Sequence, residues 1–393
     1  MSARPAASRA MPWALIAAAC LGSFAATSSG TTRAPFLLEM AHDLDVSMPL
    51  VANLVSMTAT AWGIASALGG WLSDRFGRRP LLIAAPFALA LAMTAQAFAG
   101  NFLWVAIWAS VGGACAGTYT GVVFAEVSGR VEDRQRGRAL GWVMSGQSLT
   151  LVVGVPMAAA VGSLIGWRGW NICVAGLALV ACLCLFVTLG RGTAGHTRPA
   201  TRPSMRAVFS PRVLALLTTG IAERICYGLA AVYFATFLQA VYGLSLAEIA
   251  IPLAVFALGN VGGTILGGQL ADRVRDRLMT FAVAMALSGV AALFLFMWHP
   301  GPATSVALGF VYVLLNALGR PSFMAALAAV PEEVRGTVLG LNGTSASLGW
   351  IGAAALGAAM ISWGGFDGFG PLAAALALLG AIGALLSKRT AAA

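Results

Sequence analysis

The sequence predicts an all-α membrane protein with twelve transmembrane helices, arranged as two pseudo-symmetric bundles of six. Three observations lead to this fold class: an apolar composition, a series of membrane-length apolar runs, and a residue pattern that occurs twice. Of the 393 residues, 59% are hydrophobic and 10% are charged, whereas soluble domains average about 45–50% apolar and about 25% charged residues. The bilayer is therefore the expected solvent for most of the chain.

The apolar runs number six in each half of the chain. Each is close to the roughly 20 residues that a helix needs to cross about 30 Å of hydrocarbon. An open β-sheet would leave unpaired backbone groups in lipid, so helices are the expected structure. In chain order, the predicted helices 1 to 12 cover residues 12–35, 47–72, 80–99, 102–127, 138–165, 169–190, 213–240, 246–271, 278–298, 303–329, 337–362 and 367–387.

The repeated pattern indicates that the two halves are duplicates. GWLSDRFGRR begins at Gly70, and GQLADRVRDR begins at Gly268, 198 residues later. A second pair of matching segments begins at Arg136 and Arg335, 199 residues apart. Internal duplication of this kind is characteristic of membrane transporters built from two similar halves.

The duplication divides the chain into an N-terminal bundle, residues 1–190, and a C-terminal bundle, residues 213–393. The connecting segment, residues 191–212, contains five arginines and no acidic residue. This composition predicts a solvated linker beside an anionic membrane surface. A regulatory or lipid-binding loop is the alternative.

The net charge of +10 comes from 23 arginines and one lysine. The arginines lie in alternate loops, as the positive-inside rule predicts for cytoplasmic loops, so both termini are expected in the cytoplasm and no nucleic-acid partner is expected. The six cysteines lie within apolar runs and the three histidines stand singly in loops. Neither a metal site nor a cofactor is indicated, and no phosphate-binding loop or other catalytic constellation suggests an enzyme.

The segment GWLSDRFGRRP, which begins at Gly70, resembles the cytoplasmic loop signature of the major facilitator superfamily. Its position between predicted helices 2 and 3, the repeat and the length fit this family over the whole chain. The resemblance implies that Asp74 caps helix 11 in an outward-facing state, where the helix dipole favours a carboxylate by about 0.3–1 kcal/mol. The alternative is that these charges only anchor the loop. The residues assigned to this conformational latch are Gly70, Asp74, Arg75, Gly77, Arg78, Arg79, Glu126, Asp272 and Arg273.

Glu126 lies near the cytoplasmic end of predicted helix 4, where a carboxylate is expected to need a basic partner. Arg78 is the candidate partner, and the family resemblance implies such a relay. In the second copy of the pattern Asp276 replaces Arg78, and Ala325 stands at the position of Glu126. A weaker second latch is therefore predicted.

Predicted helix 5 contains Gly146, Gly154 and Pro156, an arrangement similar to the antiporter motif of efflux members of the superfamily. Proline bends a helix and frees carbonyl groups that neighbouring groups must satisfy. The family pattern places Gly directly before Pro, whereas this chain has Val155 there. The motif favours efflux, and a helix-packing role for the small residues is the alternative.

Three ionisable residues lie deep in predicted helices: Glu223 and Arg224 in helix 7, and Arg320 in helix 10. Such residues are costly in a membrane and usually face a cavity. One interpretation makes Glu223 a proton carrier, with an arginine as its counter-ion or as a ligand for an anionic substrate. The other is a permanent structural ion pair between helices 7 and 10. Further residues expected to line a central cavity are Arg33, Tyr119, Gln147, Tyr227 and Asn316.

Together with the resemblance, these observations predict a secondary transporter that exports a small organic molecule by proton antiport and rocker-switch alternating access. Proton-coupled uptake is the alternative within transport, and a receptor or scaffold of the same fold is the alternative outside it. The expected partners are a small-molecule substrate, protons and the lipid bilayer. The expected form is a monomer in a bacterial inner membrane.

Overall fold

The computed structural model is helical throughout its described part, which comprises residues 11–189, 210–274, 276–329 and 332–389. Within these ranges, the surroundings of the side chains at 70, 74, 133, 134, 136, 137, 332–337, 339, 340 and 389 are not described. The described ranges contain no β-strand. The predicted all-α fold class is confirmed.

The N-terminal half contributes six long helices. Four of them are α1 (Trp13–Thr31), α2 (Met48–Phe76), α3 (Arg78–Ala97) and α4 (Phe102–Arg130). Helix α5 begins as Asp133–Leu149, passes through a π-helical turn at Thr150–Gly154 and continues to residue 165, and α6 covers residues 167–188. A short helix, Leu37–Asp43, lies between α1 and α2.

The C-terminal half contributes six more helices. They are α7 (Pro211–Tyr242), α8 (Ala250–Arg273), α9 (Arg277–Met297), α10 (Pro302–Leu327), α11 (Glu332–Gly364) and α12 (Phe369–Arg389).

In two places a glycine at positive φ separates two helices that form one uninterrupted apolar stretch of sequence. Ten apolar helical stretches are long enough to cross a membrane, and two of them, Arg138–Thr188 and Leu341–Lys388, are 51 and 48 residues long. Each of these two accommodates two crossings of about 20 residues. The chain reverses at Gly166, where φ is 68°, and at Gly365, where φ is 77°, a region that glycine adopts without steric cost. The ten stretches therefore make twelve helices in the described part, six in each half as predicted.

Two helix pairs at equivalent places in the halves, α2 with α4 and α8 with α10, touch backbone to backbone. Every fourth residue from Gly113 to Gly121 on α4 is glycine, and a Cβ atom added there would lie 2.3–2.7 Å from carbonyl oxygens of α2. The same spacing recurs from Gly259 to Gly267 on α8, where an added Cβ would lie 2.2–2.8 Å from carbonyl oxygens of α10. No side chain fits at these positions, so small residues set the distance between the helices.

The two bundles meet along α2 with α11 and along α5 with α8. The Ser56 hydroxyl donates to the Ile351 carbonyl at 3.2 Å, and the Gln239 amide donates to the Pro35 carbonyl at 3.1 Å. Because twelve crossings return the chain to the side where it began, both ends of the helical part lie on one side, which we call the termini side. The two hydrogen bonds lie in the other, distal half of the membrane. The bundle boundaries at residues 190 and 213 stay a prediction, since residues 190–209 lie outside the described part.

Candidate functional site

A cluster of charged side chains is buried between α7 and α10. Glu223 is 2% exposed, and its Oε1 accepts hydrogen bonds from Arg320 Nε at 3.0 Å and Nη2 at 2.9 Å. Its second oxygen, Oε2, lies 3.4 Å from Arg224 Nε. One carboxylate is therefore held by two guanidinium groups, and the cluster has a net charge of +1.

Two amides complete the surroundings of Arg320. Its Nη1 donates to Asn260 Oδ1 and its Nη2 donates to Asn316 Oδ1, both at 3.3 Å. The ring of Tyr227 lies beneath the guanidinium group, with the ring centroid 4.9 Å from Cζ, a distance at which a cation and an aromatic face attract each other. Arg320 thus has acceptors or a ring on each side and remains bound if one partner changes charge.

Arg224 is the less enclosed of the two arginines. Its backbone packs closely on α11, because a Cβ atom added to Gly349 would lie 2.2 Å from Arg224 Cβ. The side chain is 24% exposed, and its Nη groups contact no acceptor among the described residues. Next to it, Tyr227 and Trp350 pack edge to face, with 5.8 Å between the ring centroids. Arg224 can therefore offer two hydrogen-bond donors to a ligand while its Nε stays near Glu223.

The sequence prediction placed Glu223, Arg224, Tyr227, Asn316 and Arg320 as candidate site residues, and the structure brings all five together. It missed Asn260 on α8. An amide within an apolar run is itself a signal, because a polar group buried in a membrane helix needs a partner.

Arg33 is at the centre of a second buried polar network, in the distal half of the N-terminal bundle. It is 7% exposed. Its Nη1 donates to Thr58 Oγ1 at 3.2 Å, and its Nη2 donates to Gln96 Oε1 at 3.3 Å and to the Ser29 carbonyl at 3.4 Å. Among the described residues no carboxylate pairs with it. Thr58 and Gln96 were not singled out from the sequence, although both are polar residues within apolar runs.

The other two predicted cavity residues lie apart from both networks. Tyr119 is 1% exposed, and its hydroxyl donates to the Ala19 carbonyl at 2.9 Å. Its ring lies against Gly22, where an added Cβ would be 2.2 Å from the hydroxyl oxygen. These contacts place Tyr119 in the packing between α4 and α1. Gln147 is partly exposed on α5.

The loop between α2 and α3 contains the predicted latch, and Gly77 makes its turn possible. This single residue ends α2 and begins α3 with φ of 83° and ψ of 155°, a conformation that disfavours any residue with a side chain. Arg79 Nε donates to the Leu189 carbonyl at 2.8 Å, which ties α3 to the end of α6. The Arg75 guanidinium lies over the rings of Trp71 and Phe76 at 5.7 and 5.6 Å. The surroundings of Gly70 and of the Asp74 side chain lie outside the described part, so the contact of Asp74 with α11 stays a prediction.

Glu126 has two basic neighbours on the termini side. Arg130 Nε lies 2.6 Å from Glu126 Oε1, and Arg78 Nη1 lies 4.0 Å from Oε2. Arg78 Nη1 also donates to the Ala125 carbonyl at 3.1 Å. The structure places the expected partner, Arg78, beside Glu126, yet Arg130 is nearer. The i, i+4 spacing of Glu126 and Arg130 on one helix was the available sequence signal.

Asp272 and Arg273, the second-copy latch residues, end α8 on the termini side. Both are exposed. They line a pocket together with Asp276, Lys388 and other residues of the C-terminal bundle.

The helix 5 motif forms a bend of α5 against α1. A Cβ atom added to Gly146 would lie 2.1 Å from the Cys20 carbonyl oxygen. Directly before Pro156 comes the π-helical turn Thr150–Gly154, which accommodates the backbone hydrogen bond that proline cannot make. Thr150 Oγ1 donates to the Phe24 carbonyl at 3.2 Å, so a side chain of the turn also binds α1.

The sequence profile described as Major Facilitator Superfamily matches residues 19–354 and 219–392. This chain belongs to the major facilitator superfamily. The predicted family and the two-bundle fold are thereby confirmed, and a membrane transporter rather than an enzyme is the corresponding function.

Individual superfamily members resemble the chain over most of its length. It is 27% identical to the inner membrane transport protein YdhP of Escherichia coli strain K12, over 92% of this chain and 93% of that protein. It is 27% identical to a chloramphenicol resistance protein of Streptomyces lividans, over 75% of this chain and 79% of that protein. A bacterial homologue of the human lysosomal transporter Spinster, solved in an inward-facing and unoccupied conformation, has the same fold. Its TM-score is 0.80 at 16% identity, over 98% of both chains.

Proposed function

We propose that this transporter exports a small organic molecule in exchange for protons, and that Glu223 carries the proton. The observation that carries this proposal is the buried Glu223 cluster, where a carboxylate of 2% exposure is held by two arginines. Glu223 is twelve residues beyond Pro211, the first residue of α7. At about 1.5 Å per residue it lies roughly 18 Å into the membrane, near the middle of about 30 Å of hydrocarbon.

The cluster supports exchange because the proton and the substrate would act on the same groups. Ionised Glu223 holds Arg224 Nε at 3.4 Å, which leaves the Nη groups of Arg224 to donate to a polar or anionic group of the substrate. Protonation of Glu223 removes the charge that holds Arg224, so Arg224 moves and the substrate loses its ligand. Proton binding and substrate binding therefore exclude each other, as exchange requires. Asn260 and Asn316 keep Arg320 bound in both states, so the exchange is confined to one arginine.

Two observations support outward transport. The bend at Pro156 has no proline counterpart in α11, and this asymmetric motif is similar to that of efflux members of the superfamily. One relative with 27% identity is named a chloramphenicol resistance protein. Export of a toxic compound is one physical route to resistance, so drug-like organic molecules are the first substrates to test.

The contacts between the bundles support rocker-switch alternating access. In the described part, the hydrogen bonds that join the bundles lie in the distal half, and the latch loop lies on the termini side. Opening the distal contacts while Asp74 caps α11 would convert one access state into the other. The Gly77 turn lets the latch loop begin α3 directly, which keeps the loop short and its position fixed.

The arginine distribution supports a cytoplasmic location for both termini, by the positive-inside rule. The E. coli relative is named an inner membrane protein, which supports the same membrane for this chain. Each half supplies six helices around one axis, so a monomer is sufficient to form the pathway.

The proposal can be tested in everted membrane vesicles with an acidified lumen. Compounds from a panel that includes chloramphenicol are first selected by their stabilisation of the purified protein, since binding to the native state raises its melting temperature. A selected compound should collapse the pH gradient of wild-type vesicles. Glu223→Gln should not collapse the gradient, because glutamine cannot release a proton, and the compound should stabilise this variant less than the wild type. The matched control is Glu248→Gln, because Glu248 is an exposed carboxylate whose partner among the described residues is Ser245 of its own loop.

The other outcomes overturn parts of the proposal. If Glu223→Gln collapses the gradient as wild type does, Glu223 belongs to a permanent ion pair and the proton is carried elsewhere. If intact cells accumulate more compound when the protein is expressed, and the excess depends on the proton gradient, the protein is an uptake symporter.

A further inference from the structure

A charged pocket lies on the termini side of the C-terminal bundle, away from the Glu223 cluster. Its volume is about 460 Å³, and it is enclosed by the starts of α7 and α9 and the ends of α8, α10 and α12. Among the described residues, four cations and two carboxylates line it, which gives these residues a net charge of +2. These residues are Arg212, Asp272, Arg273, Asp276, Arg277 and Lys388.

Arg212 contributes a hydrogen-bond donor that the described residues do not satisfy. Its Nε is buried and has no hydrogen-bond acceptor in the described part of the chain. A buried donor without an acceptor loses the hydrogen bonds that it would make with water, which is unfavourable. An anionic oxygen in the pocket would remove this cost and bring its charge close to the other cations.

The carboxylate Asp276 is already engaged and does not compete for Arg212. Its Oδ1 accepts the Met279 amide at 3.1 Å, and its Oδ2 is bound by Lys388. The hydrogen bond from Lys388 lowers the pKa of Asp276, so its carboxyl remains ionised and paired. The cations that remain for a ligand are the three arginines.

The rest of the described lining is apolar and includes Ala271, Leu278 and Ala329. Exposed apolar residues lie close to the lining in sequence: Met279 follows Leu278 on α9 and is 46% exposed, and Leu386 lies two residues before Lys388 on α12 and is 53% exposed. A ligand with a charged head and apolar chains would match these neighbouring cationic and apolar surfaces better than a free inorganic anion would.

The N-terminal half offers a pocket for comparison beside Arg79, which matches Arg277 in the repeat. This pocket, of about 290 Å³, lies between α3 and α6, and Arg79 is the one charged residue in the described part of its lining. Arg79 Nε already donates to the Leu189 carbonyl. Among the described residues, the pocket beside Arg277 therefore has the larger number of cations.

We propose that this pocket binds the phosphate headgroup of an anionic phospholipid, with Arg212 as a direct ligand. Basic pockets between helix ends on the cytoplasmic side of membrane proteins bind such headgroups. The lipid would join α7 to α8 and α9, because Arg212 lies at the start of α7, Arg273 ends α8 and Arg277 begins α9. The proposal does not depend on the direction of transport or on Glu223.

The test compares three additions to the purified full chain in a neutral detergent: dioleoyl phosphatidylglycerol, dioleoyl phosphatidylcholine and inorganic phosphate. The anionic lipid should raise the melting temperature of the wild type, and the other two should not. In Arg212→Gln with Arg277→Gln this stabilisation should fall to less than half. Arg138→Gln should retain it, because Arg138 is an exposed cation on the same side that lies over Trp13.

Native mass spectrometry provides a second measurement that does not depend on stability. The wild type should retain a phosphatidylglycerol molecule at detergent concentrations that strip phosphatidylcholine, and the single variant Arg212→Gln should release it. Equal retention of both lipids would overturn the proposal, as would equal loss in Arg138→Gln. Full stabilisation by inorganic phosphate would show an anion site that is not a lipid site.

Discussion

Arg33 and Arg320 are both buried arginines in polar surroundings, one in each half of the molecule, and they differ in one partner. Arg320 is bound by the carboxylate of Glu223, whereas the described partners of Arg33 are all neutral. A guanidinium among neutral acceptors keeps the same net charge throughout a cycle. A guanidinium paired with a carboxylate belongs to a cluster whose charge changes when the carboxyl binds a proton. The proposed proton coupling therefore concerns the C-terminal half.

The glycine contacts provide a second comparison between the halves. The pairs α2–α4 and α8–α10 are equivalent after duplication, and both touch through backbone atoms. The glycines lie on α4 in the first pair and on α8, the counterpart of α2, in the second. Both pairs therefore have the same close contact, although the glycines lie on different helices of the pair. This is possible because close approach needs a groove on only one partner.

The largest expected difference between the halves is in how much stability the protein loses when each buried arginine is replaced. Arg320→Met leaves Glu223 buried with Arg224 alone and should destabilise the protein by about 3 kcal/mol. Arg33→Met leaves only neutral groups without a partner and should cost about 1 kcal/mol. Thermal unfolding in detergent measures both. The double variant Arg320→Met with Glu223→Gln should be more stable than Arg320→Met alone, because the buried charge without its main partner is removed. Equal stability of the two would show that the loss of the ion pair does not explain the destabilisation.

The glycine comparison predicts a smaller but position-specific effect. An alanine at Gly263 places Cβ 2.3 Å from the Leu314 carbonyl oxygen, so Gly263→Ala should cost about 1–3 kcal/mol through overpacking. The neighbouring Gly262→Ala is the control, because an added Cβ meets nothing within 4 Å there. In the other half, Gly117→Ala should lower the stability by a similar amount. Equal melting temperatures for the two α8 variants would contradict the close backbone contact.

The two copies of the latch pattern should differ in transport rather than in stability. Asp74→Asn removes the charge proposed to cap α11 and should slow transport severalfold, with expression and substrate binding retained. Asp272→Asn should have a weaker effect, because the second copy lacks a counterpart of Glu126 at Ala325. Initial rates in vesicles distinguish the two. Equal rates for both variants would remove the functional distinction between the copies.

The smallest effect is expected at the ion pairs on the termini side. The Lys388–Asp276 pair is exposed, with side-chain exposures of 53% and 38%, so Lys388→Met should cost no more than about 0.2–1 kcal/mol in lipid-free detergent. Arg130→Met should cost more, because Glu126 is only 3% exposed.

The Lys388–Asp276 contribution should also depend on pH. Lys388 lowers the pKa of Asp276 in the folded protein, so its stabilisation is present above the ordinary pKa of an aspartate, about 3.9. It is lost as the pH falls through the lower folded-state pKa. The difference in melting temperature between wild type and Lys388→Met should therefore be constant near neutrality and disappear in acid. A difference that persists in strong acid would show that another contact of Lys388 is responsible.

Much of the charge cluster could be predicted from the sequence because ionisable groups are rare in apolar helices and need partners there. This reasoning found Glu223 and Arg320 on separate helices. It did not find Asn260, since a lone amide carries a weaker signal than a charge. It chose Arg78 as the partner of Glu126, whereas Arg130 lies nearer. Distances between side chains on different helices depend on packing that apolar composition does not encode.

The sequence by itself determined the number, order and length of the helices and their division into two related halves. The physical reason is that the bilayer has a fixed thickness and every backbone polar group within it must be satisfied in its own segment. Only the tertiary structure decided how each helix is turned about its axis. The side chain of Tyr119 points to the contact with α1, and the side chain of Arg33 points to Thr58 and Gln96. A helix that is apolar on all sides carries no periodic signal for its inner face, so side-chain packing against its neighbours sets that choice.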